Sequence, residues 1–327
     1  MKKSIITLLA AGVISAGFVS STYGACCKCN GATGRWAIQK QGAFWLGVCN
    51  KDGKPSAKLL WGGGSPVDQY DIKIDGATAT MKQRAGKDRY RLTTVKAAGD
   101  EAEITFQFYN GKNEPQGKAE VVKAKRIPAL PPAPDVSKAV FGETVDLLAG
   151  GIDGWESMNP KNYFGWSLKD GVLMNRIKRK ANGKPDGSSA NLKTKRADFF
   201  DFKFSYDVRV LPKCNSGVYL RGIYEIQVLY SYGKPVNCHN MAALYGRITP
   251  RVAAEKPANA WQHVDVTLYK RHLTVVLNGV NIIDNQPVLG CTGGAITSDE
   301  FVPGPIYLQG DHSDADFRNM KLTPIVK

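Results

Sequence analysis

The sequence predicts an all-β chain in two parts, a small antiparallel β-barrel domain followed by a larger two-sheet β-sandwich. Three observations predict it. Short runs of strand-forming residues recur along the chain, separated by Gly-, Asn- and Asp-containing turns. A proline cluster, four prolines in the nine residues Ile127–Asp135, divides the chain. The 327 residues, 43% of them hydrophobic, suffice for two domains with real cores. The 34 glycines and 17 prolines follow no period, which excludes collagen, and the apolar content excludes a disordered chain.

The N-terminus sets the compartment. Lys2 and Lys3 precede the apolar stretch 5–19, too short to span a bilayer comfortably, and small residues lead to Gly24 and Ala25. Residues 1–24 read as a cleaved secretory signal, so the protein is expected to be exported: periplasmic, cell-surface or secreted. No later segment is apolar enough for a transmembrane span. Seven cysteines is an odd number for an exported chain. Tyr23-Gly24-Ala25-Cys26 has the small residues of a bacterial lipobox without its usual Leu, which offers a lipid anchor at Cys26. Six thiols then remain: Cys27, Cys29, Cys49, Cys214, Cys238 and Cys291. Cys214 and Cys238 bracket a hairpin described below and are expected to pair. A zinc site at Cys26, Cys27 and Cys29 lacks a second Cys/His pair at metal spacing.

Residues 25–126 form the first domain. Strands are expected at 36–38, 43–48, 58–61, 70–74, 77–81, 90–93 and 103–109, with Lys51-Asp-Gly, Ile74-Asp-Gly and Asn110-Gly as hairpin turns. No compact set of nucleophile, base and acid lies here, so it reads as an accessory domain. Residues 127–135 are a stiff, extended linker. Residues 136–327 are then expected to fold and act alone as the sandwich. Lys and Arg outnumber Asp and Glu 44 to 29, a net +15. That excess is spread out. Arg176-Ile-Lys-Arg-Lys180 is its one dense block, and no nucleic-acid motif accompanies it, so no nucleic-acid partner is expected.

In the second domain 201–210 alternates without error, with Phe202, Phe204, Tyr206, Val208 and Val210 on one face. The runs 263–268 and 272–277 repeat the pattern around Tyr269-Lys-Arg, and Asn278-Gly279 turns the chain again. One hairpin breaks the alternation, Asn215-Ser-Gly-Val-Tyr-Leu-Arg-Gly-Ile-Tyr-Glu-Ile-Gln-Val-Leu229. A three-residue turn at Gly222, Ile223 and Tyr224 would pair Arg221 with Glu225 and Tyr219 with Gln227. Four hydrogen-bonding side chains would then share one face, within about 5 Å of their partners. The plainer alternative is an exposed Arg–Glu pair worth little energy.

These residues also carry a resemblance. Gly154-Trp155, Leu168-Lys-Asp-Gly-Val-Leu173, the hairpin 215–228, Ser231-Tyr-Gly233, Tyr245-Gly-Arg-Ile-Thr-Pro250, Trp261-Gln262, Leu277-Asn-Gly-Val280, Gly304-Pro-Ile-Tyr-Leu-Gln-Gly-Asp-His312 and Phe317-Arg-Asn319 occur in order. Over about Phe141 to Ile325 the sequence resembles the 3-keto-disaccharide hydrolase family. The resemblance implies a concanavalin-like β-sandwich (jelly roll) and cleavage of glycosides already oxidised at carbon 3. A C3 ketone acidifies the hydrogen on C2, a base removes it, and the aglycone leaves from C1. Water later adds to the product. Such a site needs a base, oxyanion stabilisation and, as a Lewis acid, a divalent metal ion.

Under that resemblance Glu225 is the base or a metal ligand, and Arg221 orients it or binds the oxyanion. Tyr219 and Gln227 bind sugar hydroxyls, with Asn215, Tyr245 and Gln309 as further substrate contacts. His312 ligates metal or moves protons, and His239 completes the metal set. Ordinary glycosidases need two flanking carboxylic groups, whereas this face has one. His263 and His272 read as surface residues. Trp155, Trp166 and Trp261 read as packing rather than sugar platforms. The competing functions are a non-catalytic carbohydrate-binding sandwich and an anion-binding surface module.

Overall fold

The computed structural model describes residues 30–326. The expected signal segment and Cys26, Cys27 and Cys29 lie outside the described residues. Gly34–Ile38, Phe44–Lys51, Lys54–Trp61, Val67–Asp68, Tyr70–Asp75, Thr78–Arg84, Arg89–Ala98, Glu101–Asn110 and Pro115–Ile127 form one antiparallel sheet. All seven strands expected in this part are present. Pro115–Ile127 escaped detection because Pro115, Gly117 and a row of exposed Lys and Glu hide its pattern. It is nonetheless the strand that joins the two halves, pairing with both Glu101–Asn110 and Gly34–Ile38. Lys54–Trp61 and Tyr70–Asp75 come into contact, so the sheet curls almost into a barrel. Asp52 and Gly53 both have positive φ, 52° and 76°, as a two-residue hairpin turn requires. Trp36, Leu46, Leu59, Met81, Val95 and Ile104 fill its interior.

The remainder is a sandwich of two antiparallel sheets. The larger runs in the order Trp166–Lys169, Val172–Asn175, Ala315–Pro324, Phe202–Arg209, Trp261–Tyr269, His272–Leu277 and Val280–Pro287. The smaller runs Trp155–Ser157, Leu192–Thr194, Tyr307–Leu308, Asn215–Leu220 and Tyr224–Leu229. Phe202, Phe204, Tyr206 and Val208 meet Val218, Leu220, Ile226 and Val228 in the layer between them. The turns at Lys270-Arg271 and Asn278-Gly279 have positive φ at both positions. Two expectations change. His272 is buried, 6% exposed, at the end of a strand paired on both sides, and its Nδ1 lies 3.0 Å from the Lys270 carbonyl. Trp155 and Trp166 are buried as read, but Trp261 is half-buried between Arg209 and Arg318.

The two sheet systems share a seam. Ala43, Trp45 and Leu60 belong to the sandwich core, while their neighbours Phe44, Leu46 and Leu59 belong to the first sheet's core. The Pro-rich linker is tied down on both sides: the Pro128 carbonyl accepts from Arg271 at 3.2 Å and the Pro134 carbonyl from Asn285 at 3.0 Å. Among the described residues, no helix is long and apolar enough to cross a membrane.

Cys214 and Cys238 do not pair; both are free, as is Cys291. Cys214 packs in the sandwich core, whereas Cys238 sits beside His239 on the other side of the hairpin. Cys49 is disulfide-bonded.

Candidate active site

The hairpin forms with a three-residue turn, displaced by one residue from the expected place. Arg221, Gly222 and Ile223 make the turn, Tyr219 pairs with Glu225, and Gly217 pairs with Gln227. Relative to the expected pairing this is a shift of two, which preserves the face. Asn215, Gly217, Tyr219, Glu225 and Gln227 still point to one side of the sheet, and Val218, Leu220, Ile226 and Val228 to the core.

Arg221 leaves the set. Its φ of 55° places it in the turn, and its guanidinium donates to the carbonyls of Glu300 (2.6 Å) and Val302 (2.7 Å) beneath the Phe200 ring. It is 1% exposed and does not pair with Glu225. The turn's left-handed backbone turns its side chain away from the row that Tyr219 and Glu225 occupy.

Glu225 is the centre of what remains. It is 3% exposed, and burial pushes its carboxyl up to about 8, with the neighbouring Tyr219 hydroxyl and His312 pulling it down and Asp311 raising it. The Tyr219 hydroxyl lies 2.9 Å from Glu225 Oε2 and 2.8 Å from the Gly293 carbonyl. That hydroxyl has one proton for two acceptors. With Glu225 protonated, the carboxyl donates to Tyr219 and Tyr219 donates to Gly293, so every group is satisfied. With Glu225 ionised, Tyr219 must turn its proton to the carboxylate and the Gly293 carbonyl loses its donor. The arrangement therefore favours a proton held at neutral pH.

The surrounding side chains fix that pair. Tyr307 stacks on Tyr219 with ring centroids 4.1 Å apart, and Asn191 donates to the Tyr307 hydroxyl at 3.1 Å. The Gly294 α-carbon lies against Tyr219, and a methyl there would come 2.6 Å from the hydroxyl. A methyl on Gly217 would come 2.3 Å from Glu225 Oε1. Gly217→Ala is expected to displace the carboxylate and lower turnover at least about 10-fold while costing about 1–3 kcal/mol of stability. Steady-state assays and chemical unfolding of that variant check both.

The open side belongs to the loop after Tyr307–Leu308. His312 is half exposed, 47%, and its Nδ1 lies 2.5 Å from Asp311 Oδ1. The hydrogen bond to Asp311 raises its proton affinity, against the opposing effect of burial. Gln309 is half-buried beside the hairpin, and its peptide N–H donates to the Gly217 carbonyl. Asn215 is pinned by Ser313, which accepts from its N–H at 2.8 Å and donates to its carbonyl at 2.9 Å. Gln227 is buried, its side-chain oxygen accepting from the Val228 N–H. Tyr245 donates its peptide N–H to the Glu225 carbonyl and meets the His239 ring edge-on at 5.1 Å.

A model of the 3-keto-alpha-glucoside-1,2-lyase-like domain matches residues 144–323, more than half of the chain. The chain belongs to this family. Membership places this lyase-like domain among carbohydrate-active, glycosidase-type proteins, and the matched span contains every candidate site residue. Among solved structures, a Parabacteroides distasonis protein provisionally named a glycosyl hydrolase is 24% identical. The match covers 55% of this chain and 82% of that one, with a TM-score of 0.42. A second such protein from the same bacterium is 17% identical over 56% and 94%, with a TM-score of 0.45. A non-specific endo-beta-1,3(4)-glucanase is 11% identical over 60% and 92%, with a TM-score of 0.38. No curated protein matches the chain.

The expected metal set fares differently from the face. Among the described residues, no three His, Cys, Asp or Glu side chains gather where they could hold one ion. Glu225 is engaged by Tyr219, His312 by Asp311, and His239 Nε2 lies 2.7 Å from Ser65 Oγ. Glu225, His312 and His239 therefore do not fit one resident cation, and no step below runs through a metal. Sequence reasoning missed Tyr307, Asp311 and Ser65. Tyr307 and Asp311 stood in the Gly304–His312 motif, and Tyr307 alternates with Gln309 on the site face. Ser65 lies 174 residues before His239 in the chain and gave no local signal.

Proposed function

We propose that the protein cleaves glycosides whose sugar carries a ketone at carbon 3, by elimination followed by hydration. One observation carries this reading: on the hairpin's site face a buried carboxylate, Glu225, holds its proton to about pH 8 beside a half-exposed His312–Asp311 pair. In its ionised form Glu225 takes the C2 proton that the ketone has acidified. The C2–H electron pair forms the C1=C2 double bond, the C1–O bond breaks, and its pair leaves with the aglycone oxygen. His312, protonated and steadied by Asp311, lies on the open side, where it stabilises the developing oxyanion or supplies the proton that the aglycone takes. Tyr219 holds the base, and Asn215, Gln227, Gln309 and Tyr245 line the sugar's approach. Water then adds across the double bond, for net hydrolysis.

The disulfide at Cys49 supports an oxidising, extracytoplasmic setting, in keeping with the signal-like N-terminus. The reaction is tested by incubating the protein with a 3-keto-glucoside and its unoxidised parent and analysing the products. Aglycone release from the keto substrate alone supports the reading. Release from neither, with binding retained, leaves a carbohydrate-binding domain. A chelator arm in the same assay reads any metal requirement.

The pH profile separates two roles for Glu225. As the base it must be ionised, so kcat/KM is expected to rise with pH through a midpoint near pH 8 and level above it. The pairing with Asp311 raises the proton affinity of His312, whose deprotonation supplies the descending limb of the profile. A kcat/KM that instead falls steadily from pH 6 to 9 would make Glu225 the acid.

A further inference from the structure

The first sheet reaches into the site at one point, the loop Gly62-Gly63-Gly64-Ser65 between its strands Lys54–Trp61 and Val67–Asp68. Two contacts pass through it. The Gly62 carbonyl accepts from the Gly294 N–H at 3.1 Å, and the Gly293 α-carbon lies so close to Gly64 that a methyl there would meet the Gly64 oxygen at 2.1 Å. This is the backbone segment whose Gly293 carbonyl faces Tyr219. Separately, Ser65 Oγ lies 2.7 Å from His239 Nε2, and the His239 ring meets Tyr245 edge-on at 5.1 Å. The Gly246 α-carbon packs onto Ser65, where a methyl would come 2.7 Å from Oγ.

We propose that Ser65, carried by the N-terminal sheet, is a positioning residue of the carbohydrate site, holding His239 and Tyr245 in place across the seam. The inference rests on the function proposed above. The protons can be ordered. Cys238 Sγ lies 3.7 Å from His239 Nδ1, and we assign His239 the tautomer with its proton on Nδ1, toward sulfur, and Nε2 as the acceptor. Ser65 then donates to Nε2. One hydroxyl thereby ties down a histidine of 231–246, the loop that covers the site face, and through that ring the Tyr245 packed against it. Tyr245 is also bonded to the Glu225 strand through its peptide N–H. The accessory-like barrel thus supplies one wall of the substrate site.

The test uses full-length protein and the variant Ser65→Ala. The chain has four histidines, which keeps imidazole ¹⁵N spectra readable. Wild type is expected to show His239 as the Nδ1–H tautomer, and Ser65→Ala to shift it toward the Nε2–H form that free histidine prefers. With a 3-keto-glucoside, KM is expected to rise about 5- to 10-fold, the scale of one lost hydrogen bond. kcat should stay within about twofold, because the Tyr219–Glu225–Gly293 set is untouched. A merely structural Ser65 would lower thermal stability without splitting KM from kcat. Unchanged His239 signals, or an unchanged KM in a folded variant, would overturn the proposal. A wild type inactive on 3-keto-glycosides would overturn the assigned reaction instead, since the spectra are read without substrate.

Discussion

Glu225→Gln is expected to lower turnover of a 3-keto-glucoside at least about 100-fold, the lower scale for losing a general base, and to make the protein more stable. The two effects share one cause, the burial of an ionisable group. Below about pH 4.5 the folded and unfolded chains both hold the Glu225 proton, and burial of the carboxyl costs nothing. Between there and about pH 8 only the unfolded chain releases it, so folding stability falls as pH rises; above about 8 the loss is complete. At about 1.4 kcal/mol per pH unit, this loss approaches about 4–5 kcal/mol. A glutamine has no proton to lose. The variant should match wild type near pH 4 and exceed it by about 2 kcal/mol or more near pH 9. Urea unfolding at the two pH values measures the difference. An exposed Arg221–Glu225 pair, the plainer reading of the sequence, predicts no such dependence. Near-normal turnover by a folded Glu225→Gln chain would move the base to His312.

The fold was legible wherever one face of a strand meets water. Phe202–Arg209, Trp261–Tyr269 and His272–Leu277 alternate because their sheet has a core side, and their turns carry Asn, Gly or paired basic residues at positive φ. The site was legible for a related reason. Tyr219, Glu225 and Gln227 are polar where the hairpin's alternation alone would leave an unremarked outer face, and any even shift of register keeps them together. Arg221 was misplaced because its role turns on which three residues make the turn. Glycine at 222 allows more than one answer, and the buried carbonyls of Glu300 and Val302 decide it. Burial of Glu225 could not be read locally either, since its cover comes from the loops around 240–246 and 292–294. The seam did leave a trace. Ala43-Phe-Trp-Leu and Leu59-Leu60 are apolar on both faces of their strands, and a strand apolar on both faces needs a cover on both.

That trace gives the last prediction, Trp45→Ala. Phe44, Leu46 and Val48 face the first sheet's core, while Ala43 and Trp45 face the sandwich core, so one strand serves two cores. Trp45 is 3% exposed; its Nε1 donates to the Cys291 carbonyl at 3.1 Å, and its ring lies 4.2 Å from the Arg247 guanidinium. Burial already pulls the Arg247 proton affinity down to about 10, so the aromatic face and the Cys291 carbonyl are what keep its charge tolerable. Removing the indole leaves a cavity, a Cys291 carbonyl with one donor fewer and a less sheltered cation. The expected cost is about 3–5 kcal/mol. Unfolding followed by tryptophan fluorescence and far-UV circular dichroism should show a lower midpoint, with the two sheet systems separating into distinct transitions. Activity should fall as well, because Cys291 precedes by two residues the Gly293 carbonyl that faces Tyr219. A loss below about 1 kcal/mol, with one unchanged transition, would mean that the sandwich stands without its neighbour. Residues 136–327 would then suffice for the site, and Ser65 would have nothing to brace.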